Sequence, residues 1–169
     1  EQDEFALASQ TKAEAAQKAG RFADEIVPVT IAGRKGDVVI DTDEYPRHGT
    51  TLDMLTKLKP AFDKAGSVTA GSASGINDGA AALLLGTEAA GARFGLKPRA
   101  RIVAAAVAGV EPRVMGLGPV PAARKALARA GLSLADMDVI EINEAFATQV
   151  LGCLKQLDLA YDDARVNPN

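Results

Sequence analysis

Val139-Ile-Glu-Ile-Asn143-Glu-Ala-Phe-Ala147 joins an apolar, strand-like run to the opening of a helix, and its reading decides the fold. A strand that ends in Asn and hands over to a helix puts a neutral carboxamide at the carboxyl edge of a sheet. In α/β proteins that edge is where ligands bind. The amide can donate two hydrogen bonds and accept through its oxygen, with no charge to neutralise. Such a group can orient a water or stabilise a developing oxyanion. Taken alone, Asn143-Glu144 also has a plainer reading, as the N-terminal cap of the following helix.

Working outward from this junction, the pattern expects a helix over 143–157 and, before it, a helix over 120–130 with Pro119 and Pro121 in its first turn and Gly131 as its stop. Ser133-Leu-Ala-Asp136 resembles a short capping box. Residues 101–110 form a long β-type run, and Asp78-Gly-Ala-Ala-Ala-Leu-Leu-Leu suggests a small-residue helix running towards Gly91 or Gly95. Strands alternating with helices in this half argue for an α/β sheet. The first half is looser. A helix is expected over 2–19, ended by Gly20, then strands over 26–31 and 37–41 around the Gly33-Arg-Lys-Gly36 turn. Pro28 should place the first of these strands at an edge or make it irregular. A short helix over 51–59 and a brief strand over 68–70 precede the loop Gly71-Ser-Ala-Ser-Gly75.

Composition narrows the classes of function. Among 169 residues 47% are apolar, yet only seven are aromatic (five Phe, two Tyr), so Ala, Val, Leu and Ile must pack the core. With 19 basic and 22 acidic residues mixed along the chain, there is no basic stripe of the kind nucleic acid selects. No apolar run reaches the roughly eighteen residues that span a membrane, and no secretory signal opens the sequence. Cys153 is the single cysteine, so no internal disulfide can form, which suits a reducing, cytoplasmic setting. One Cys and one His without clustered carboxylates give no metal site. Both ends, an opening helix without Met and a stop at Asn169, read as cuts through a larger protein.

Candidate chemistry beyond Asn143 is sparse. The 71–75 loop, followed by Asn77-Asp-Gly79, can bring backbone N–H groups and Ser hydroxyls to a ligand. It lacks the Gly-Lys-Ser/Thr ending of a P-loop. Arg47 and His48 share a polar loop, and Arg is the natural partner of phosphate. A general-base His48 needs a nucleophile, but Cys153 sits among Ala, Val and Leu in an expected helix, where a thiol is inert.

Taken in order, seven motifs carry more than any one of them: Glu1-Gln-Asp-Glu-Phe-Ala, Phe22-Ala-Asp-Glu-Ile-Val-Pro-Val, Arg47-His-Gly-Thr-Thr-Leu-Asp, Leu58-Lys-Pro-Ala-Phe, Thr69-Ala-Gly-Ser-Ala-Ser-Gly-Ile-Asn-Asp-Gly-Ala, Met115-Gly-Leu-Gly-Pro-Val-Pro-Ala and Asn143-Glu-Ala-Phe-Ala. Together they resemble the thiolase family, closest to its biosynthetic acetyl-CoA acetyltransferases, over essentially the whole chain. The resemblance implies the layered αβαβα thiolase fold in part. Residues 1–76 would be the later portion of the domain that covers coenzyme A, 77–98 the end of the N-terminal core domain, and 99–169 the first part of the C-terminal core domain. It implies a thioester Claisen condensation and its reverse, with acyl-CoA as substrate, coenzyme A as substrate or product, no prosthetic group, and a homodimer or homotetramer.

Residue by residue, the resemblance assigns Asn143 to the oxyanion-hole water, and Ala145 and Phe146 to the pantetheine and acyl end of the tunnel. Arg47 falls at the nucleotide end of coenzyme A, Ser74 and Ala70 along the pantetheine arm, and Met115 in the pocket wall. The family's nucleophilic Cys would precede Glu1, its Gly-His-Pro motif would follow Asn169, and its late Cys-x-Gly-Gly-Gly would lie further on. Cys153 and His48 match none of these, and Met54 stands where relatives carry a small polar residue. Two readings stay open: a piece of an acetyl-CoA C-acetyltransferase, or an inert thiolase-like fragment that only binds coenzyme A or acts as a structural partner. Without its partner surface, such a piece should expose apolar faces of the 77–92 and 143–157 helices.

Overall fold

The protein is described here by a computed structural model that covers residues 1–168. Its helices are α1 (Gln2–Lys18), α2 (Leu52–Thr56), α3 (Glu88–Arg93), α4 (Pro119–Ala130) and α5 (Ala147–Gln156), with 3₁₀ turns at Pro112–Leu117 and Leu134–Asp136. Two strands, β1 (Val29–Ile31) and β2 (Val38–Ile40), pair antiparallel with Val29 opposite Ile40 and Ile31 opposite Val38. The chain forms two compact units, one of Glu1–Ser74 with Val139–Asn169, the other Gly75–Asp138.

The first unit is built on α1 and α5. Asp3 and Glu4 open α1 and Lys18 closes it, charges that complement the helix dipole. Gly20 follows at φ +67°, a left-handed conformation that ends the helix without a Cβ penalty. Along α5 the buried positions Ala147, Val150, Cys153 and Leu154 recur at helical spacing. Of these, Ala147, Val150 and Leu154 pack with Phe5 of α1 and Val166 into one cluster, flanked by Ile140, Ile142, Leu151 and Leu159. Burying side chains such as Phe5, Val150 and Leu154 contributes ~1.5–3 kcal/mol each. The α5 stripe is therefore covered from within the unit, contrary to the expected exposed face. Asn143 lies ahead of α5, whose N-cap is Phe146 without a side-chain cap bond. The plainer reading of Asn143 as a helix cap is overturned.

The β1–β2 hairpin turns at Gly33–Gly36, where a Cβ on Gly33 would lie 2.6 Å from the Gly36 carbonyl oxygen. Pro28 sits just before β1, so it removes no donor from the ladder. The expected 68–70 strand is reduced to a bridge between Pro60 and Thr69. The expected 139–142 strand likewise keeps one parallel bridge, Ile140 to Val166.

In the second unit Gly131 closes α4 at φ +68° as the sequence requires. The Ser133 amide and hydroxyl both donate to Asp136 Oδ2, at 2.8 and 2.7 Å, which makes the expected capping box. The expected helix from Asp78 is wrong for most of its length. Only Glu88–Arg93 is helical, capped by Thr87 Oγ1, which accepts from the Ala90 amide at 3.2 Å. Leu83, Leu84 and Leu85 are 83%, 83% and 69% exposed. A run apolar on every side has no stripe to orient, so its Ala and Leu content was a weak guide to helix. Residues 101–110 keep the period of a strand, with Ala104, Ala106, Ala108 and Val110 half-buried and the residues between them exposed. They pair with no strand among the described residues. Instead Lys125 Nζ donates to the Val107 carbonyl at 3.3 Å and Arg129 Nη1 to that of Ala105 at 2.7 Å.

Candidate functional site

Asn143 lies where two backbone pairings meet. Before it, the Ile140 amide donates to the Arg165 carbonyl at 2.8 Å and the Asn167 amide to the Ile140 carbonyl at 3.0 Å, a step of parallel ladder. After it, the Ser74 amide donates to the Ala145 carbonyl at 3.0 Å, the Ala147 amide to the Ser72 carbonyl at 2.9 Å, and Ala73 bridges Phe146 antiparallel. The segment is thus fixed on both sides while Asn143 itself stays exposed. Its carboxamide makes no hydrogen bond to the described residues, and it lines an open cavity of about 440 Å³ with Ser9, Ala13, Ile142, Glu144 and Asn167.

The 71–75 loop is held from within. Thr69 and Ser72 are buried; the Thr69 amide donates to Ser72 Oγ at 3.0 Å, and the Gly71 amide to Thr69 Oγ1 at 3.2 Å. Gly71 is required by space: a Cβ there would lie 2.5 Å from Leu55 Cδ2 and 2.8 Å from Leu58 Cδ1. Ala70 and Ser74 are exposed at either end of this loop, and a second cavity, about 240 Å³, opens beside it between Phe5, Tyr45, Ser72, Ser74 and Glu144. Phe146 packs edge-on to Phe62 with ring centroids 6.1 Å apart.

Arg47 is placed by the polar face of α1. Gln10 Oε1 accepts from the Arg47 amide at 2.8 Å, and Glu14 Oε2 from the Gly49 amide at 2.9 Å. Gln17 Oε1 meets His48 Nε2 at 2.5 Å, and Gln17 Nε2 donates to the Asp43 carbonyl at 3.3 Å. Residues 10, 14 and 17 share one helix face. The Lys18 ammonium, followed by the Gly49 amide, holds the Glu14 carboxyl below its usual range. The Arg47 guanidinium is exposed. His48 is therefore bonded to a glutamine and positioned as a loop residue. Cys153 is fully buried, and burial pushes its thiol up, away from nucleophilic chemistry.

Of the residues singled out in the sequence, Asn143, Ala145, Phe146, Ser74, Ala70 and Arg47 all belong to the first compact unit. Met115 belongs to the second, 72% exposed in the Pro112–Leu117 turn. Sequence reasoning missed Ser9, Glu144 and Asn167, which bond to one another beside Asn143. Ser9 Oγ donates to Glu144 Oε2 at 2.6 Å and Asn167 Nδ2 to Glu144 Oε1 at 2.7 Å. The Asn167-Pro168 pair was the one available signal, a turn dipeptide close behind an apolar residue.

Residues 1–89 match the N-terminal domain of thiolase and residues 96–169 the C-terminal domain of thiolase. The chain belongs to the thiolase family. It is 65% identical to an acetyl-CoA acetyltransferase of Rhizobium meliloti (strain 1021) over its whole length, which is 42% of that protein. Among solved structures it superposes on the acetyl-CoA acetyltransferase of Bacillus anthracis with a TM-score of 0.90 at 53% identity, covering 98% of this chain and 42% of that one. Human mitochondrial 3-ketoacyl-CoA thiolase gives a TM-score of 0.91 at 47% identity, over all of this chain and 42% of that one. The fold is thus the α/β thiolase fold in part: the chain spans about 42% of the length of the relatives it matches.

Proposed function

We propose that these residues form the coenzyme-covering and oxyanion-side portion of an acetyl-CoA C-acetyltransferase, which condenses two acetyl-CoA to acetoacetyl-CoA and free coenzyme A, or runs the reverse thiolysis. The observation that carries this reading is the Asn143 carboxamide. It is free of protein partners among the described residues, its residue lines a cavity, and the backbone on either side of it is fixed by pairing. A neutral donor carried on a backbone held in this way suits the oxyanion of a thioester tetrahedral intermediate or enolate, directly or through one water.

In the reaction a cysteine thiolate attacks the thioester carbonyl of one acetyl-CoA and expels coenzyme A thiolate. A second acetyl-CoA gives up an α-proton, which ends on the coenzyme A thiolate expelled in the first step, and its carbanion attacks the acyl-enzyme carbonyl. The cysteine thiolate leaves and acetoacetyl-CoA forms. Cys153 is buried and does not serve as the nucleophile, which this reading assigns to a cysteine outside residues 1–169. Asn143 serves the oxyanion hole by positioning a water there. Ala145 and Phe146, with Ala70 and Ser74 across the 72–74 pairing, line the pantetheine arm. Arg47, exposed on its clamped loop, meets the phosphates at the nucleotide end, and Met115 is taken as a pocket-wall residue carried by the second unit. The reading further takes residues 1–76 as covering domain, 77–98 and 99–169 as core, the assembly as a homo-oligomer, and the compartment as cytoplasmic.

The test uses the complete reading frame that contains this chain, assayed for thiolysis of acetoacetyl-CoA. Asn143→Ala should lower kcat ~10²–10³-fold, the scale of one lost oxyanion donor, with KM little changed. An unchanged kcat sinks the assignment. The isolated 169-residue chain, whose only thiol is buried, should show no turnover above a heat-killed control. Measurable turnover there would mean that the nucleophile lies within it.

A further inference from the structure

We infer that Asn167 is a positioning residue for Asn143: its side-chain amide takes over the β-ladder where the backbone leaves it, and so fixes the turn that presents the Asn143 carboxamide. The inference rests on the functional reading of Asn143 given above.

The parallel ladder between 139–142 and 165–167 runs for one step, Ile140 to Arg165 and Asn167 back to Ile140. Its next step would join the Ile142 amide to the Asn167 carbonyl, and the Ile142 carbonyl to an N–H two residues further on. The Asn167 carbonyl does not make that step. Asn167 adopts φ +43°, a left-handed conformation uncommon outside glycine but tolerated by Asn. Its carbonyl turns instead to Lys12 Nζ of α1. The side chain supplies both missing groups: Asn167 Oδ1 accepts from the Ile142 amide at 2.8 Å, and Nδ2 donates to the Ile142 carbonyl at 2.9 Å. The remaining Nδ2 hydrogen goes to Glu144 Oε1 at 2.7 Å, and Ser9 Oγ of α1 holds the other carboxyl oxygen at 2.6 Å.

Asn143 is therefore gripped through both sequence neighbours by one side chain that is itself 7% exposed. Every donor and acceptor of that amide has a use. Only Asn supplies a donor pair and an acceptor at this length while also tolerating the backbone conformation. Asp keeps the acceptor but sets a second carboxylate against Glu144. Gly keeps the backbone and deletes the grip, so it separates positioning from strain.

The experiment uses the protein from the complete reading frame, with two readouts. In Asn167→Gly the Ile142 amide should exchange hydrogen at least tenfold faster, while the Val150 amide in the core stays protected and reports an intact fold. In the same variant kcat for thiolysis should fall tenfold or more with KM within threefold. Asn167→Asp should fall similarly. Adding Glu144→Gln, which restores a donor–acceptor pair in reverse, should recover at least threefold of the loss. A role in stability alone predicts no such recovery. An Ile142 exchange rate unchanged in Asn167→Gly overturns the grip. A kcat within threefold of the parent, alongside a disabled Asn143→Ala, overturns the positioning role and leaves the function standing. If the parent itself has no thiolysis, it is the functional reading that fails, whatever the exchange data show.

Discussion

Substituting Gly71 by Ala tests how tightly the 71–75 loop is seated. The added Cβ would lie 2.5 Å from Leu55 Cδ2 and 2.8 Å from Leu58 Cδ1. Leu58 is 41% exposed and can swing aside, whereas Leu55 is 6% exposed and has less room. Overpacking of this kind costs ~1–3 kcal/mol, and Leu55→Ala alone should cost about 2–5 kcal/mol for its lost burial and cavity. The two should not add, because Leu55→Ala removes the very methyl that the new Cβ strikes. In equilibrium urea unfolding, the double variant should be more stable than the sum of the single losses by about 0.5–3 kcal/mol, the coupling typical of residues in contact. Hydrogen exchange gives a local check. The Ser74 amide, bonded to the Ala145 carbonyl at 3.0 Å, should lose protection in Gly71→Ala and regain it in the double variant. Losses that add within about 0.3–0.5 kcal/mol would show the sites independent and refute the packing argument.

Three further outcomes follow from the same geometry. Leu154→Ala, at a side chain 1% exposed in the α1–α5 cluster, should destabilise by about 2–5 kcal/mol in urea unfolding; a loss below ~1 kcal/mol would contradict that core. Asp163, hydrogen-bonded to the Arg165 guanidinium at 2.7 Å, has its carboxyl lowered to about 2. Its folded value lies below the ordinary ~3.9, so its stabilisation is present above pH ~4 and lost as pH falls towards 2. Asp163→Asn should flatten the stability profile across that window only, and an equal slope in both proteins would refute the link. Cys153, fully buried with its thiol pushed up by burial, should react with an aromatic disulfide reagent only after denaturation; rapid labelling of native protein would contradict the burial.

Much of the architecture was readable because its signals are local. Gly20 and Gly131 end their helices in left-handed conformations, Ser133 and Asp136 form their box, and Gly33-Arg-Lys-Gly36 turns its hairpin. The residues 78–87 were misread because a uniformly small, apolar run has the same appearance as helix or extended chain, and only tertiary partners decide. Asn143 was legible as a candidate from the residue type and the strand-like run before it, but not its release from capping, since α5 starts four residues later. The grip on that residue was invisible. Ser9, Glu144 and Asn167 lie up to 158 positions apart, and no local pattern links them. Only folding brings them to one turn.

The proposed mechanism depends on where the Asn143 carboxamide points when substrate is bound. A crystal structure of the complete protein with a non-hydrolysable acyl-coenzyme A analogue measures this directly. The amide nitrogen should stand within hydrogen-bond reach of the thioester oxygen, or of one water that bridges to it. A carboxamide turned away and tied to protein, with no solvent molecule linking it to that oxygen, would contradict the mechanism.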